Sequence, residues 1–235
     1  MNRTTLARMI DHTILKADAT EAEVRRVVQD AIDHRFASVC VNGRWAKLVS
    51  DLLHQAGAND PKKTDAPVLT CVVVGFPLGA NRSDIKALEA AAAAKDGAQE
   101  IDMVVSLPDL LVGNTEYVHR DIAEVIRAAR NVRQSTVIKV ILETAILTEE
   151  QIALGCTIAA EAGADFVKTS TGFHPKGGAT VQAVQWLKKY GGERGLKVKA
   201  SGGIRDFATA QQMLNAGVDR LGCSASVAIL NECTV

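Results

Sequence analysis

Apolar strand-like runs and helix-like runs alternate along the whole chain, eight times, with no break in composition. That alternation limits the fold to parallel α/β arrangements. Strand-like segments are expected at Met9–Thr13, Phe36–Val41, Val68–Val74, Gln99–Val105, Thr136–Leu142, around Phe166, around Leu196 and at Asp219–Cys223. The third is uniformly apolar, as a strand buried on both faces must be. Thr20-Glu21-Ala22-Glu23 and Thr148-Glu149-Glu150-Gln151 are capping boxes, opening helices to about His34 and Ala162. Asn42-Gly43 turns into a helix through Gln55. Further helices are expected over Ser83–Lys95, Glu116–Asn131, Thr180–Tyr190 and Phe207–Asn215, with a short one after Ser224. Gly57 to Pro67 reads as a surface loop. Asp96-Gly97-Ala98, Ala162-Gly163-Ala164 and Ala216-Gly217-Val218 each stop a helix on glycine and feed a strand. Eight such units in 235 residues predict one (β/α)8 TIM-type barrel spanning 1–235. A doubly wound open sheet is the competing arrangement, but no GxGxxG follows the first strand.

Several strands carry charge where a buried strand should be apolar. In Asp165-Phe166-Val167-Lys168-Thr169-Ser170-Thr171-Gly172-Phe173 a lysine follows the apolar pair, and the run then dissolves into small polar residues. Val198-Lys199-Ala200-Ser201-Gly202-Gly203 repeats the pattern. An unpartnered buried ammonium costs several kcal/mol or loses its proton, so packing alone does not put one there. Faces alternate along a strand. Glu100 and Asp102 therefore share a face, as do Lys139 and Glu143, Lys168 and Ser170, and Lys199 and Ser201. The alternates Met103, Val140, Val167 and Val198 are left to pack beneath the helices, and the polar set points into the barrel. Asp102, Lys168 and Lys199 lie toward the carboxyl ends of their strands, where barrel enzymes keep their chemistry.

Two lysines on neighbouring strands point to amine chemistry. An amine attacks a carbonyl only when unprotonated, and a like charge beside it favours that form. The Schiff base so formed is an electron sink, and a carboxylate such as Asp102 can then move protons. These arguments do not choose between Lys168 and Lys199. Three readings compete with this amine chemistry: a purely structural ion network of Asp102, Lys139, Glu143, Lys168 and Lys199, a phosphosugar isomerase or lyase using Asp102 as base, and a non-catalytic barrel that binds a phosphate ligand. Lys139 and Glu100 read as support for the other charges. Ser201-Gly202-Gly203-Ile204-Arg205-Asp206 offers bare amides, an arginine and a helix start, and Gly222-Cys223-Ser224 offers a second glycine loop. Loops after the last two strands are where such barrels hold phosphate, and Thr171-Gly172 can add to the cradle.

Composition narrows the rest. The 27 basic and 27 acidic residues balance, which leaves no nucleic-acid surface. Aromatic residues are only 4%, against stacking of bases. The longest uncharged run, Ala66 to Arg82, is broken by Pro77 and Gly79, so no membrane span is expected. Met1-Asn2-Arg3-Thr4-Thr5 lacks an apolar leader, and five scattered cysteines without CxxC predict reduced thiols and a cytoplasmic protein. The five histidines show neither HxH nor HExxH, so no metal is expected.

Taken together, Asp11-His12-Thr13, Gly75-Phe76-Pro77-Leu78-Gly79, Glu100-Ile101-Asp102-Met103-Val104, Lys139-Val140-Ile141-Leu142-Glu143-Thr144, the Lys168 and Lys199 segments and Gly222-Cys223-Ser224 make the chain resemble the deoxyribose-phosphate aldolases, class I aldolases of the barrel fold. The resemblance implies reversible cleavage of 2-deoxy-D-ribose 5-phosphate to acetaldehyde and D-glyceraldehyde 3-phosphate, without a cofactor. It assigns the Schiff base to Lys168, the pKa-lowering partner and proton relay to Lys199, and the other proton donor and acceptor to Asp102. It adds Asp11, Thr13 and Cys40 as pocket positions, and Lys139 joins them on the substrate side. The partners it implies are a phosphosugar and an aldehyde, and it allows a homodimer. Phe173 stands where some members have a lysine near the phosphate, and Asn42-Gly43 replaces a more usual Asn-Pro or Tyr-Pro. The sequence ends Cys233-Thr234-Val235, without the terminal tyrosine that some members fold over the site.

Overall fold

The structure, a computed structural model, describes residues 1–233. Thr234 and Val235, where the resemblance looked for a terminal tyrosine, lie outside the described residues. Eight parallel strands close into one barrel in sequence order. They are β1 (Ile10–Ile14), β2 (Ser38–Asn42), β3 (Leu69–Val74), β4 (Glu100–Val104), β5 (Val137–Ile141), β6 (Phe166–Lys168), β7 (Lys197–Ser201) and β8 (Arg220–Cys223). β1 pairs with both β2 and β8, so no edge remains and the open-sheet alternative is excluded.

Around the barrel run α2 (Glu21–His34), α3 (Ala46–Gln55), α4 (Ser83–Lys95), α6 (Thr115–Val132), α7 (Glu149–Glu161), α8 (Val181–Tyr190), α9 (Phe207–Asn215) and α10 (Ser226–Glu232). Both capping boxes form: Thr20 with Glu23, and Thr148 with Gln151. The repeated glycine joints are left-handed, with Gly97, Gly163 and Gly217 at φ 100°, 88° and 100°. Each lets the next amide reach back five residues, as Ala98 N does to Ala93 O at 2.9 Å and Ala164 N to Ala159 O at 3.0 Å. The chain thus stops a helix and enters a strand in a few residues.

Two helices depart from expectation: α1 (Arg3–Ala7) and α5 (Leu107–Val112). Both are short, and neither carries a capping box in the sequence. α1 starts on Asn2, whose side chain accepts from Thr5 N at 2.8 Å. Elsewhere the expected strands are trimmed at their ends, and the 57–67 stretch is a connection without regular structure.

The apolar alternates do face outward. Met103, Val140, Val167 and Val198 join the continuous core between sheet and helices. Inside the barrel, a small apolar cluster of Leu15, Cys40, Cys71 and Val73 occupies one side. Phe166 also faces inward, under Lys139 and Arg220, and most of the remaining interior is charged.

Candidate active site

Register brings the charges together. Lys168 on β6 pairs with Lys199 on β7, and Asp102 on β4 pairs with Lys139 on β5. Closing β8 onto β1 adds Asp11 and Arg220, the latter opposite Lys199. Asp102 is the hub. Its Oδ1 accepts from Lys139 Nζ at 2.9 Å and from the Cys71 thiol at 3.3 Å. Its Oδ2 accepts from Lys168 Nζ at 2.8 Å and from Lys199 Nζ at 2.7 Å. The two lysine ammonium groups therefore converge on a single oxygen. Burial would push the Asp102 carboxyl up, but Lys139, Lys168 and Lys199 together hold it well below the usual carboxylate range.

Below this hub the charges are multiply paired. Lys139 reaches Glu100 Oε2 at 2.6 Å and Asp11 Oδ2 at 3.6 Å as well as Asp102. Lys199 bonds Asp11 in addition to Asp102. Arg220 donates to Asp11 Oδ1 at 2.5 Å and to Glu100 Oε2 at 3.2 Å, and Ser38 Oγ donates to Asp11 at 2.7 Å. Burial would lower the Lys199 ammonium, yet Asp102 and Asp11 outweigh it and hold it above the ordinary lysine value. Lys139 is raised in the same way, with Asp102 the leading carboxylate against its burial. Asp11 is pushed up by burial but drawn below its ordinary value by Arg220, Lys199 and Lys139.

Lys168 differs. Among the described residues it has one carboxylate partner, where Lys139 has three and Lys199 and Arg220 have two each. It is also the lysine of this cluster that reaches a pocket of about 480 Å³ at the carboxyl end of the barrel, which Lys199 and Lys139 do not line. Geometry thus supplies a distinction between the two lysines that sequence alone lacked.

The same pocket is walled by Thr13, Thr171 and Gly172 on one side and by Ser201, Gly202 and Gly203 on another, with Arg205, Gly222 and Ser224 at the rim. Asp11, Cys40 and Lys139 do not reach the wall: all three are buried beneath it. Cys40 pairs in register with Cys71 in the small apolar cluster, and Asp11 and Lys139 are spent within the ion cluster. Their placement is that of a floor, because each is enclosed by neighbours from two or more strands.

The loops after β6 and β7 approach closely. A Cβ on Gly202 would lie 2.9 Å from Gly178 Cα and 3.1 Å from Gly172 Cα, and its φ is +88°. Gly222 carries no side chain for a related reason, since a Cβ there would meet Lys199 Cε at 3.1 Å. The amides of Gly172, Gly202, Gly203 and Ser224 have no backbone acceptor among the described residues, as an anion cradle requires. Two sequence expectations change here. The start of α9 is already capped by Asp206, which accepts from Thr209 N at 2.7 Å, so it is closed to an anion. The Ser201 hydroxyl donates to Ser170 O at 2.5 Å, which ties the two loops together.

Glu143 stays outside the ion cluster. It sits in the left-handed region at φ 58°, ψ 57°, and its carboxylate accepts from the Thr171 amide at 3.3 Å and from the Thr171 hydroxyl. It fixes the wall that carries Gly172.

Sequence reasoning missed Arg220, and it missed Lys16, Glu23, Arg26 and Val27, which line the pocket from α2 and the loop before it. Only the closed barrel brings these to the site. It also missed two buried triples whose ligand atoms come within reach of one ion, Cys40–Cys71–Asp102 and Asp11–Cys71–Glu100. They come from separate strands, so no spacing signals them, and lysine and arginine cations already occupy their carboxylates.

A closed barrel with a lysine over a buried carboxylate at its carboxyl end is an arrangement suited to a Schiff-base aldolase. Residues 5–225 match the DeoC/LacD family of aldolases. The chain is 46% identical over 230 residues to the deoxyribose-phosphate aldolase of Carboxydothermus hydrogenoformans, covering 98% of this chain and 96% of that one. It is 48% identical over 227 residues to the enzyme of the same name from Caldanaerobacter subterraneus, covering 97% and 93%. The deoxyribose phosphate aldolase of Aeropyrum pernix, described as tetrameric, superposes with a TM-score of 0.87 at 33% identity, over 98% of this chain and 91% of that one. The chain belongs to the DeoC/LacD aldolase family. No helix among the described residues is long and apolar enough to cross a membrane.

Proposed function

We propose that the protein cleaves 2-deoxy-D-ribose 5-phosphate reversibly to acetaldehyde and D-glyceraldehyde 3-phosphate through a Schiff base on Lys168. The observation that carries this reading is the placement of Lys168, singly paired and facing the pocket, over the Asp102 hub.

The neutral Lys168 amine adds to the aldehyde carbon of the open-chain sugar, and loss of water leaves an iminium. Loss of the C3 hydroxyl proton then lets the C2–C3 bond break. Its electron pair moves into the iminium as an enamine, and C3 leaves as the new aldehyde. Protonation of the enamine and addition of water free acetaldehyde and the amine. Asp102 sits within reach of Lys168 and Lys199. It stays ionised among its three lysines and, bonded to both Lys168 and Lys199, is placed to pass protons between them, a water and the substrate. Lys199, held cationic by two carboxylates, steadies that relay and sets a positive charge beside the reacting amine. The free amides of Gly172, Gly202, Gly203 and Ser224, with Arg205, take the phosphate. No step calls for a metal, and a chelator is expected to leave turnover intact.

All five cysteines are free and buried, which suits the cytoplasm. A homodimer, which the resemblance allows, is checked by light scattering on the purified chain. The catalytic reading is tested by borohydride reduction in the presence of acetaldehyde, followed by intact-mass measurement. One ethyl group is expected on the wild type and none on Lys168→Ala; an unmodified wild type that still turns over substrate rejects the Schiff base.

A further inference from the structure

We infer that the substrate phosphate is also held from the rim beside the β8 loop, by Arg26 and Lys16 of the first βα unit, and that these side chains set the preference for phosphorylated sugars. The inference rests on the aldolase reading above and adds a second wall to the anion cradle.

Glu23, Arg26 and Val27 all line the pocket. Their spacing of i, i+3 and i+4 puts them on one face of α2, at the mouth of the pocket, where Arg26 stays exposed and open to a ligand. Lys16 reaches the same pocket from the loop between β1 and α2. Glu23 is fully engaged: it accepts from Lys16 Nζ at 2.6 Å and from Thr20 N and Oγ1 at 2.8 Å each. These bonds, led by that from Lys16, lower the Glu23 carboxyl to about 2, so it is ionised at neutral pH and anchors Lys16 as a cation. Arg26 has no such use. Among the described residues it makes no ion pair or side-chain hydrogen bond, and the same is true of Arg205, which also lines the pocket.

The rim charges sum in one direction. Lys16, Arg26 and Arg205 against Glu23 leave two net positive charges around a pocket that also offers unpaired amides. A phosphate monoester carries roughly 1.5–2 negative charges at neutral pH. The rim therefore matches the ligand in sign and size, and the arginines supply planar donors suited to phosphate oxygens. Phe173, which also lines the pocket, contributes no charge, so the positive field of the rim comes from Lys16, Arg26 and Arg205. The bland alternative is that Arg26 is a solvated helix residue with no ligand.

The experiment compares kcat/KM for 2-deoxyribose 5-phosphate with that for unphosphorylated 2-deoxyribose. Arg26→Ala is expected to lower the ratio of the two by about 10- to 100-fold, the scale of one lost hydrogen bond to a charged group. Inhibition by inorganic phosphate should weaken in step, and Arg26→Lys should recover part of the ratio. Arg25→Ala is the control: it removes the same charge from the same helix, but Arg25 pairs with Glu21 at 2.8 Å and lies off the pocket. An unchanged ratio in Arg26→Ala, or an equal change in Arg25→Ala, overturns the inference. Loss of turnover on both sugars in the wild type would instead reject the aldolase reading.

Discussion

Two buried ion clusters in this protein have the same ingredients and opposite outcomes. Lys86 of α4 and Asp121 of α6 form a fully buried one-to-one pair at 2.7 Å, completed by Val104 O, Ser83 Oγ and the Ser106 amide. There burial prevails: it pushes Lys86 down and Asp121 up, each against the pull of its partner. In the barrel the directions reverse, with Lys139 and Lys199 raised and Asp11 and Asp102 lowered against equal burial. The difference is the number of opposite charges around each group. A lone pair only offsets part of its desolvation, whereas an interleaved cluster makes each ion the partner of several others. Three carboxylates, Asp11, Glu100 and Asp102, face four cations in the barrel. The singly paired cation at the edge, Lys168, meets the pocket.

The largest expected effect separates that edge from the rest. Lys168→Ala should cut turnover on the order of 10⁴-fold or more, as removal of a nucleophile does, with little change in thermal stability. Asp102 keeps Lys139 and Lys199, so the fold does not depend on Lys168. Unfolding of this variant would break the comparison. Lys139→Met is the counterpart. It leaves Glu100 with Arg220 alone and takes one cation each from Asp11 and Asp102, and should cost about 3–5 kcal/mol in urea unfolding.

The lone pair sharpens the contrast. Lys86→Met should also cost about 3–5 kcal/mol, but adding Asp121→Leu should restore most of it, because a small isolated pair can be replaced by apolar groups. The same repair in the barrel has no single partner to remove. A double variant at 86 and 121 as unstable as the single one would count against this distinction.

The smallest effect is in pH. Asp11 and Asp102 have folded-state values below the unfolded value of about 3.9, so their contribution is fully present above that pH. It is lost as pH falls below about 4 toward the folded values, at up to about 1.4 kcal/mol per pH unit for each proton taken up. Urea midpoints measured from pH 7 to 3 should therefore show an acid limb that Asp102→Asn makes shallower.

Much of this was legible in the sequence. Alternating apolar runs, two capping boxes and three glycine joints predict the barrel, because each is a local signal confirmed by local hydrogen bonds. Charged residues on strand faces predict the interior cluster, since side-chain alternation is fixed by the backbone. The partner count was not legible. Lys168 and Lys199 sit in similar local sequences, and only closure of β8 onto β1 brings Asp11 to Lys199 and leaves Lys168 with Asp102 alone. Arg220 was hidden for the same reason. Arg26 reads as one more charge on an amphipathic helix until the barrel shows which way that face of α2 looks.

The central claim is that one interior lysine reacts while its neighbours stay paired as cations. Peptide mapping after borohydride reduction with acetaldehyde, run on the wild-type protein, reads this residue by residue. The account predicts the ethyl group on the peptide carrying Lys168 and on neither of those carrying Lys139 and Lys199; label on Lys199 instead would contradict it.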